Sequence, residues 1–202
     1  MKTEDNENTS TPLIRNGIKF NILAESPSQT ETALQVVCFF DFQKNQHYEG
    51  GTFAVNEHFN GEIHQLRKEG IFAGGTLETL LLSPSSNQIP AKQLLLLGMG
   101  DPDALDLDLF KQLGYTAVME AIKLGVADFC FAPSLKDAGI AMSFAKTDVS
   151  KTLARGMFKA LDAAAVLSAK KLIRPVALTE INLLAGQAQS ANAYKGLQLA
   201  FD

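Results

Sequence analysis

The chain has 202 residues, 46% of them hydrophobic and 20% charged, with a formal net charge of -4 and an isoelectric point near 5.4. That is enough chain for one domain with a real core, and the surplus of carboxylates argues against generic nucleic-acid binding, which needs many phosphates neutralised. No apolar stretch approaches the roughly 20 residues that span a bilayer, and the polar, acidic N-terminus is not a secretory signal.

Residues 1–12 are polar without apolar periodicity and are expected to form a disordered tail ahead of a single domain over 13–202. Alternation over Ile18 to Leu23 predicts a first strand, ended by Ser26-Pro27-Ser28. Gln35 to Phe42, rich in β-branched and aromatic residues, predicts a second, followed by a polar turn from Gln43 to Gly51. Phe59, Ile63 and Leu66 share one face of a helix predicted over His58 to Gly70. Strands follow over Thr76 to Leu82 and Lys92 to Gly98, the latter carrying four consecutive leucines as strands buried on both faces do.

Asp108 to Gly125 is strongly amphipathic, with Leu109, Leu113, Ala117, Ala121 and Leu124 in one stripe. Val126 to Ala132 is a further buried strand. A long helix capped by Asp148 or Ser150 runs through Lys171, Val176 to Leu184 is a last strand, and Gly186 to Phe201 a last helix. Such alternation of strands and helices implies a three-layer α/β/α domain with a mixed, largely parallel sheet. The final helix ends on an apolar residue, which leads us to expect a neighbour there, either a following domain or a partner subunit.

The strand-end run Gly98-Met99-Gly100 sits where open α/β sheets place ligands. A dinucleotide fingerprint needs a third glycine, and Asp103 stands in its place. Asp101, Asp103, Asp106 and Asp108 crowd the approach to the next helix, where carboxylates suit the helix dipole but repel phosphate. Gly50, Gly51, Gly98, Met99, Gly100 and Ser134 are the candidate ligand-loop residues, Ser134 because it follows a strand end and otherwise a common loop residue. His47, His58 and His64 show no metal-ligand spacing, and no G-x-S-x-G elbow, C-x-x-C pair or P-loop occurs, so no catalytic residue, metal site or cofactor is assigned. Lys170, Lys171 and Arg174 make the one tight basic cluster, read as a solvated helix end. Cys38 and Cys130 lie in apolar segments and are read as buried free thiols; a disulfide requires their strands to be adjacent. Free thiols suit a reducing, cytoplasmic compartment.

Several segments resemble the N-terminal domain of the leucyl aminopeptidase family, peptidase family M17. Phe59 to Leu66 followed by Lys68-Glu69-Gly70-Ile71-Phe72-Ala73-Gly74-Gly75 resembles that domain's helix, glycine stop and "G-x-F-x-G" passage. Ala91 to Gly100 resembles its "rvllvGlG" strand and turn, and Asp108 to Gly125 the helix after it. Ala154-Arg155-Gly156-Met157 resembles its "a-E-G-f" helix, with Arg155 where an acidic residue is usual, and Ser190 to Phe201 resembles the helix leading into the peptidase domain. The resemblance implies a macro-domain-like fold and an accessory role in self-association or partner binding, the partner being a peptidase domain or subunit. The family's two-metal chemistry belongs to a separate C-terminal domain with an N-T-D-A-E-G-R type motif. That motif is not in this sequence, so no catalytic residue carries over. Macro domains proper bind ADP-ribose through glycine-rich loops, so a nucleotide- or ADP-ribose-type binding or hydrolysing domain is the alternative reading.

Overall fold

In the computed structural model the described residues are 13–46, 49–135, 139 and 145–202; the expected N-terminal tail lies outside them. The strands are β1 (Leu13–Arg15), β2 (Ile18–Leu23), β3 (Gln35–Phe40), β4 (Thr79–Leu82), β5 (Leu94–Gly100), β6 (Asp128–Ala132) and β7 (Glu180–Leu184). The helices are α1 (Gly50–His58), α2 (Glu62–Lys68), α3 (Leu107–Leu124), α4 (Lys146–Ala169) and α5 (Gln187–Phe201). They form a seven-stranded sheet in the order β1-β2-β7-β6-β3-β5-β4. The five inner strands are parallel, and β1 and β4 close the two edges antiparallel. The expected three-layer, largely parallel architecture is the observed one.

Side-chain alternation sorts β3 and β5 into two layers. Val36, Cys38, Phe40, Leu95 and Leu97 join α3, α4 and α5 in the larger core. Val37, Phe39, Leu94 and Leu96 join α1 and α2 in the smaller one. Every residue of β5 is buried, as the leucine run demands. Cys130 pairs in register with Gln35, so Cys38, three residues further along β3, points to the opposite face. The two strands are neighbours, yet both thiols are free and buried, and no disulfide joins them.

Where α3 crosses α4, small residues let the backbones meet. A Cβ added at Gly114 would come within 3.0 Å of the Leu153 carbonyl carbon, and one at Gly156 within 2.7 Å of the Lys111 carbonyl carbon. Gly196 of α5 likewise lies against Thr147 at the start of α4.

Three local expectations fail. The long helix α4 starts at Lys146 with Ala145 in the N-cap position and no side-chain cap, so Asp148 and Ser150 lie within it and neither caps it. The region read as a polar turn through Gly51 begins a helix, α1, and the helix expected over His58 to Gly70 is broken at Phe59–Gly61. Asn60 and Gly61 both take left-handed φ, 52° and 79°, so the chain turns between α1 and α2. Strand β1 is an addition to the expected elements. The Asn16-Gly17 pair, with φ 52° and 79°, makes the two-residue hairpin turn that joins β1 to β2.

Candidate functional site

The chain leaves β3 for β5 through the α1/α2 layer and leaves β5 for β6 through α3 on the opposite face. The strand ends of β3, β5 and β6 therefore flank a topological switch point, the position where open α/β sheets bind ligands. Phe40, Gly100 and Ala132 mark those ends.

Gly98, Met99 and Gly100 lie inside β5 rather than in a turn after it, and all three are buried. The glycines there serve a main-chain contact. A Cβ at Gly98 would sit 2.7 Å from the Gly74 carbonyl carbon and nearer still to the Gly75 oxygen, so Gly74 and Gly75 pack backbone against backbone on β5. The amides are used up in that contact. Gly98 N–H donates to Glu78 O at 2.8 Å, Gly100 N–H to Gly74 O at 2.9 Å, and Leu77 N–H to Gly98 O at 3.0 Å. A cradle for phosphate needs free amides.

The neighbouring amides have an anion already. The Glu78 carboxylate accepts from Gly74 N–H at 2.8 Å, Gly75 N–H at 2.9 Å and Ala73 N–H at 3.3 Å. The same pattern recurs beyond β5. Asp101 caps the short 3-10 turn Pro102–Ala104 by accepting from Asp103 N–H at 2.9 Å, and Asp106 caps α3 by accepting from Leu109 N–H at 2.7 Å. The Asp103 amide bond lowers the Asp101 pKa from its ordinary value, with the Lys44 ammonium, 3.3 Å away, adding to the effect. The aspartates that crowd the sequence before α3 thus supply the negative charge that the helix start favours.

Beneath β3, Arg67 of α2 is buried. Its guanidinium donates to the Phe40 carbonyl at 2.7 Å and lies over the rings of Phe39 and Phe42, 4.7 and 5.2 Å from their centroids. It holds the end of β3 where the strand turns toward Asp41. Phe42 also meets the His64 ring edge-on at 5.4 Å.

The remaining candidates are dispersed. Gly50 and Gly51 open α1, which has no side-chain N-cap. Ser134 takes a left-handed φ of 55° just past β6, and its hydroxyl donates to the Ala132 carbonyl at 3.2 Å. His58 is exposed on the last turn of α1, and His47 lies outside the described residues. Among the described residues no three His, Cys, Asp or Glu side chains are grouped to hold a metal. Burial pushes the Cys130 thiol up to about 11, and desolvation raises Cys38 as well, so neither favours the thiolate. Sequence reasoning missed Glu78 and Arg67. A carboxylate three and four residues after Gly75 and Gly74 was a readable signal for the first. Nothing marked Arg67 as buried, since its type is usually solvated.

A three-layer α/β/α domain with a mixed, mostly parallel sheet of this order has a macrodomain-like fold. Among solved structures it is similar to a point mutant of the Oceanobacillus iheyensis macrodomain, with 12% identity and a TM-score of 0.64 over 95% of this chain and 97% of that one. The Trypanosoma brucei macrodomain in complex with ADP-ribose gives 15% identity and a TM-score of 0.63 over 87% of this chain and 67% of that one. A point mutant of tomato leucine aminopeptidase gives 14% identity and a TM-score of 0.57; the match covers 92% of this chain but 37% of the tomato enzyme. No curated protein sequence matches. Residues 36–161, well over half of the chain, match the model of the cytosol aminopeptidase family, N-terminal domain, and the chain belongs to that family.

Proposed function

We propose that this chain is a non-catalytic accessory domain that acts by docking on protein, either a second copy or a peptidase domain or subunit, in the cytosol. Residues 13–202 form the one functional unit, with no cofactor. The observation that carries the reading is the occupation of the strand-end amides. Glu78 fills the donors at Gly74 and Gly75, and main-chain carbonyls take those of Gly98 and Gly100. A small anionic ligand would have to displace a tethered carboxylate there. No helix among the described residues is long and apolar enough to cross a membrane.

The competing reading, binding or hydrolysis of a nucleotide or ADP-ribose derivative, draws on the Trypanosoma brucei relative, whose structure is a complex with ADP-ribose. Two measurements separate the readings. The purified chain is expected to leave leucine p-nitroanilide intact with Mn²⁺ or Zn²⁺, and hydrolysis abolished by a chelator overturns the non-catalytic assignment. ADP-ribose at millimolar concentration is expected to leave the melting temperature unchanged. A ligand that binds the native state must raise it by mass action, so a clear upward shift favours the competing reading.

A further inference from the structure

A shallow depression of about 240 Å³ lies far from the strand ends, between the last turns of α3 and the segment after α4. Met119, Ile122 and Ile173 contribute its apolar lining, and Lys123 and Arg174 stand at its rim. Beside it Leu172 is 68% exposed, an unusual position for leucine, and Lys170 and Lys171 are exposed in the preceding turn. The Lys123 ammonium pairs with the Glu120 carboxylate at 3.2 Å, and Arg174, with Lys170 and Lys171 in the preceding turn, leaves the surround cationic on balance. An apolar floor in such a surround fits a partner surface that carries carboxylates around apolar side chains.

This chain carries such a surface at the other end of α3. The segment Pro102–Asp108 presents Asp103, Asp106 and Asp108 around the half-buried Leu105 and Leu107. Both charge clusters have a local cause, since acidic residues suit the start of a helix and basic ones its end. Their joint effect is a molecule polarised along α3, acidic at one pole and basic at the other, about 27 Å apart along an 18-residue helix.

We propose that the depression at Met119, Ile122 and Ile173 receives the acidic Pro102–Asp108 end of a second copy, head to tail. The idea rests on the protein-docking reading above and assigns it a surface. The contact is heterologous, so it builds a ring if the rotation closes and an open chain if it does not. Its charges face solvent, so salt screens it: the Debye length falls from about 30 Å at 0.01 M to about 3 Å at 1 M.

The test uses light scattering on the whole chain and two exposed-surface variants. One carries Lys170→Glu and Lys171→Glu, the other Asp103→Lys and Asp108→Lys; Asp106 is left in place because it caps α3. Circular dichroism checks that both variants fold. The wild type is expected to rise above the mass of one chain at low salt and return to it at high salt. Each variant alone is expected to associate about tenfold or more weakly, since exposed ion pairs contribute modestly and several are reversed together. Mixed in equal amounts, the two variants are expected to recover association, because the acidic pole of the first meets the basic pole of the second and the two reversed poles again carry opposite charges. A wild type that is monomeric at low salt overturns the inference. So does association that both variants retain in full, an outcome that leaves self-association standing and moves it to another surface.

Discussion

Replacing Gly98 with alanine tests the claim that the strand-end glycines serve a main-chain contact. The new methyl would lie 2.7 Å from the Gly74 carbonyl carbon, 2.9 Å from its oxygen, and closer still to the Gly75 oxygen. Backbone cannot swing aside as a long side chain does, so Gly74 and Gly75 must move off β5. That movement loosens three hydrogen bonds, Gly98 to Glu78, Gly100 to Gly74 and Leu77 to Gly98. Overpacking costs about 1–3 kcal/mol, and each weakened buried hydrogen bond about 1 kcal/mol. Partial relief brings the total to about 3–5 kcal/mol, a large share of the roughly 5–15 kcal/mol that holds a domain of this kind together. Gly75→Ala is the matched control. Its φ is not in the left-handed region and its Cβ would meet only a Glu78 carboxylate oxygen at 3.6 Å, an ordinary contact. The control is expected to stay within about 0.5 kcal/mol of wild type, as changes without a clash do. Urea denaturation reads both, through a shift in midpoint at constant slope. If Gly98→Ala denatures at the wild-type midpoint, the backbone contact is not what these glycines are for.

Other expectations follow from the same geometry. Glu78→Ala removes the carboxylate shared by the Gly74 and Gly75 amides; charge-assisted bonds at a half-exposed site make this a loss of about 1–2 kcal/mol in the same denaturation experiment, and a loss under about 0.3 kcal/mol means water replaces the side chain without penalty. Arg67→Ala leaves the Phe40 carbonyl without its donor and strips the cation from two phenyl faces, at an expected cost of about 3 kcal/mol or more by thermal or chemical unfolding, whereas a neutral result assigns Arg67 no part in holding β3. Both thiols are expected to ignore a thiol reagent at pH 8 in the native protein and to react once denaturant is added; reaction of the native protein at the denatured rate contradicts their burial. Because burial raises the Cys130 pKa to about 11, the unfolded chain releases that proton first, so this group's contribution is fully present below the ordinary thiol pKa and declines as pH rises toward 11. Stability that increases over that interval in Cys130-containing protein, relative to Cys130→Ala, contradicts the sign.

The parts of the fold that sequence reasoning reached are those where one periodicity dominates. The leucines of β5 and the stripe of α3 leave little choice of element, and the Gly125 stop of α3 is observed as a left-handed C-cap with φ 72°. Helix α1 was hidden because its first residues are Gly50-Gly51-Thr52, a pattern that reads as punctuation. The hairpin at Asn16-Gly17 was readable, but the flanking strand β1 has three residues and little pattern of its own. At the strand ends the sequence located Gly98 and Gly100 but not their partner. Contact with Gly74 and Gly75 is a long-range backbone event, and glycines needed for close packing look the same in a sequence as glycines that greet a ligand. The crowding of aspartates before α3 is plain in the sequence; that Asp101 and Asp106 cap two successive turns emerges only in the fold.

The seam between α3 and α4 has a mechanical consequence. Side-chain interfaces can slip by trading rotamers, but carbonyls lying against Gly114 and Gly156 offer no such slack. Gly196 ties α5 to the start of α4 in the same way. The three helices therefore behave as one stiff plate on the back of the sheet, and a bound partner would tilt or carry that plate as a unit.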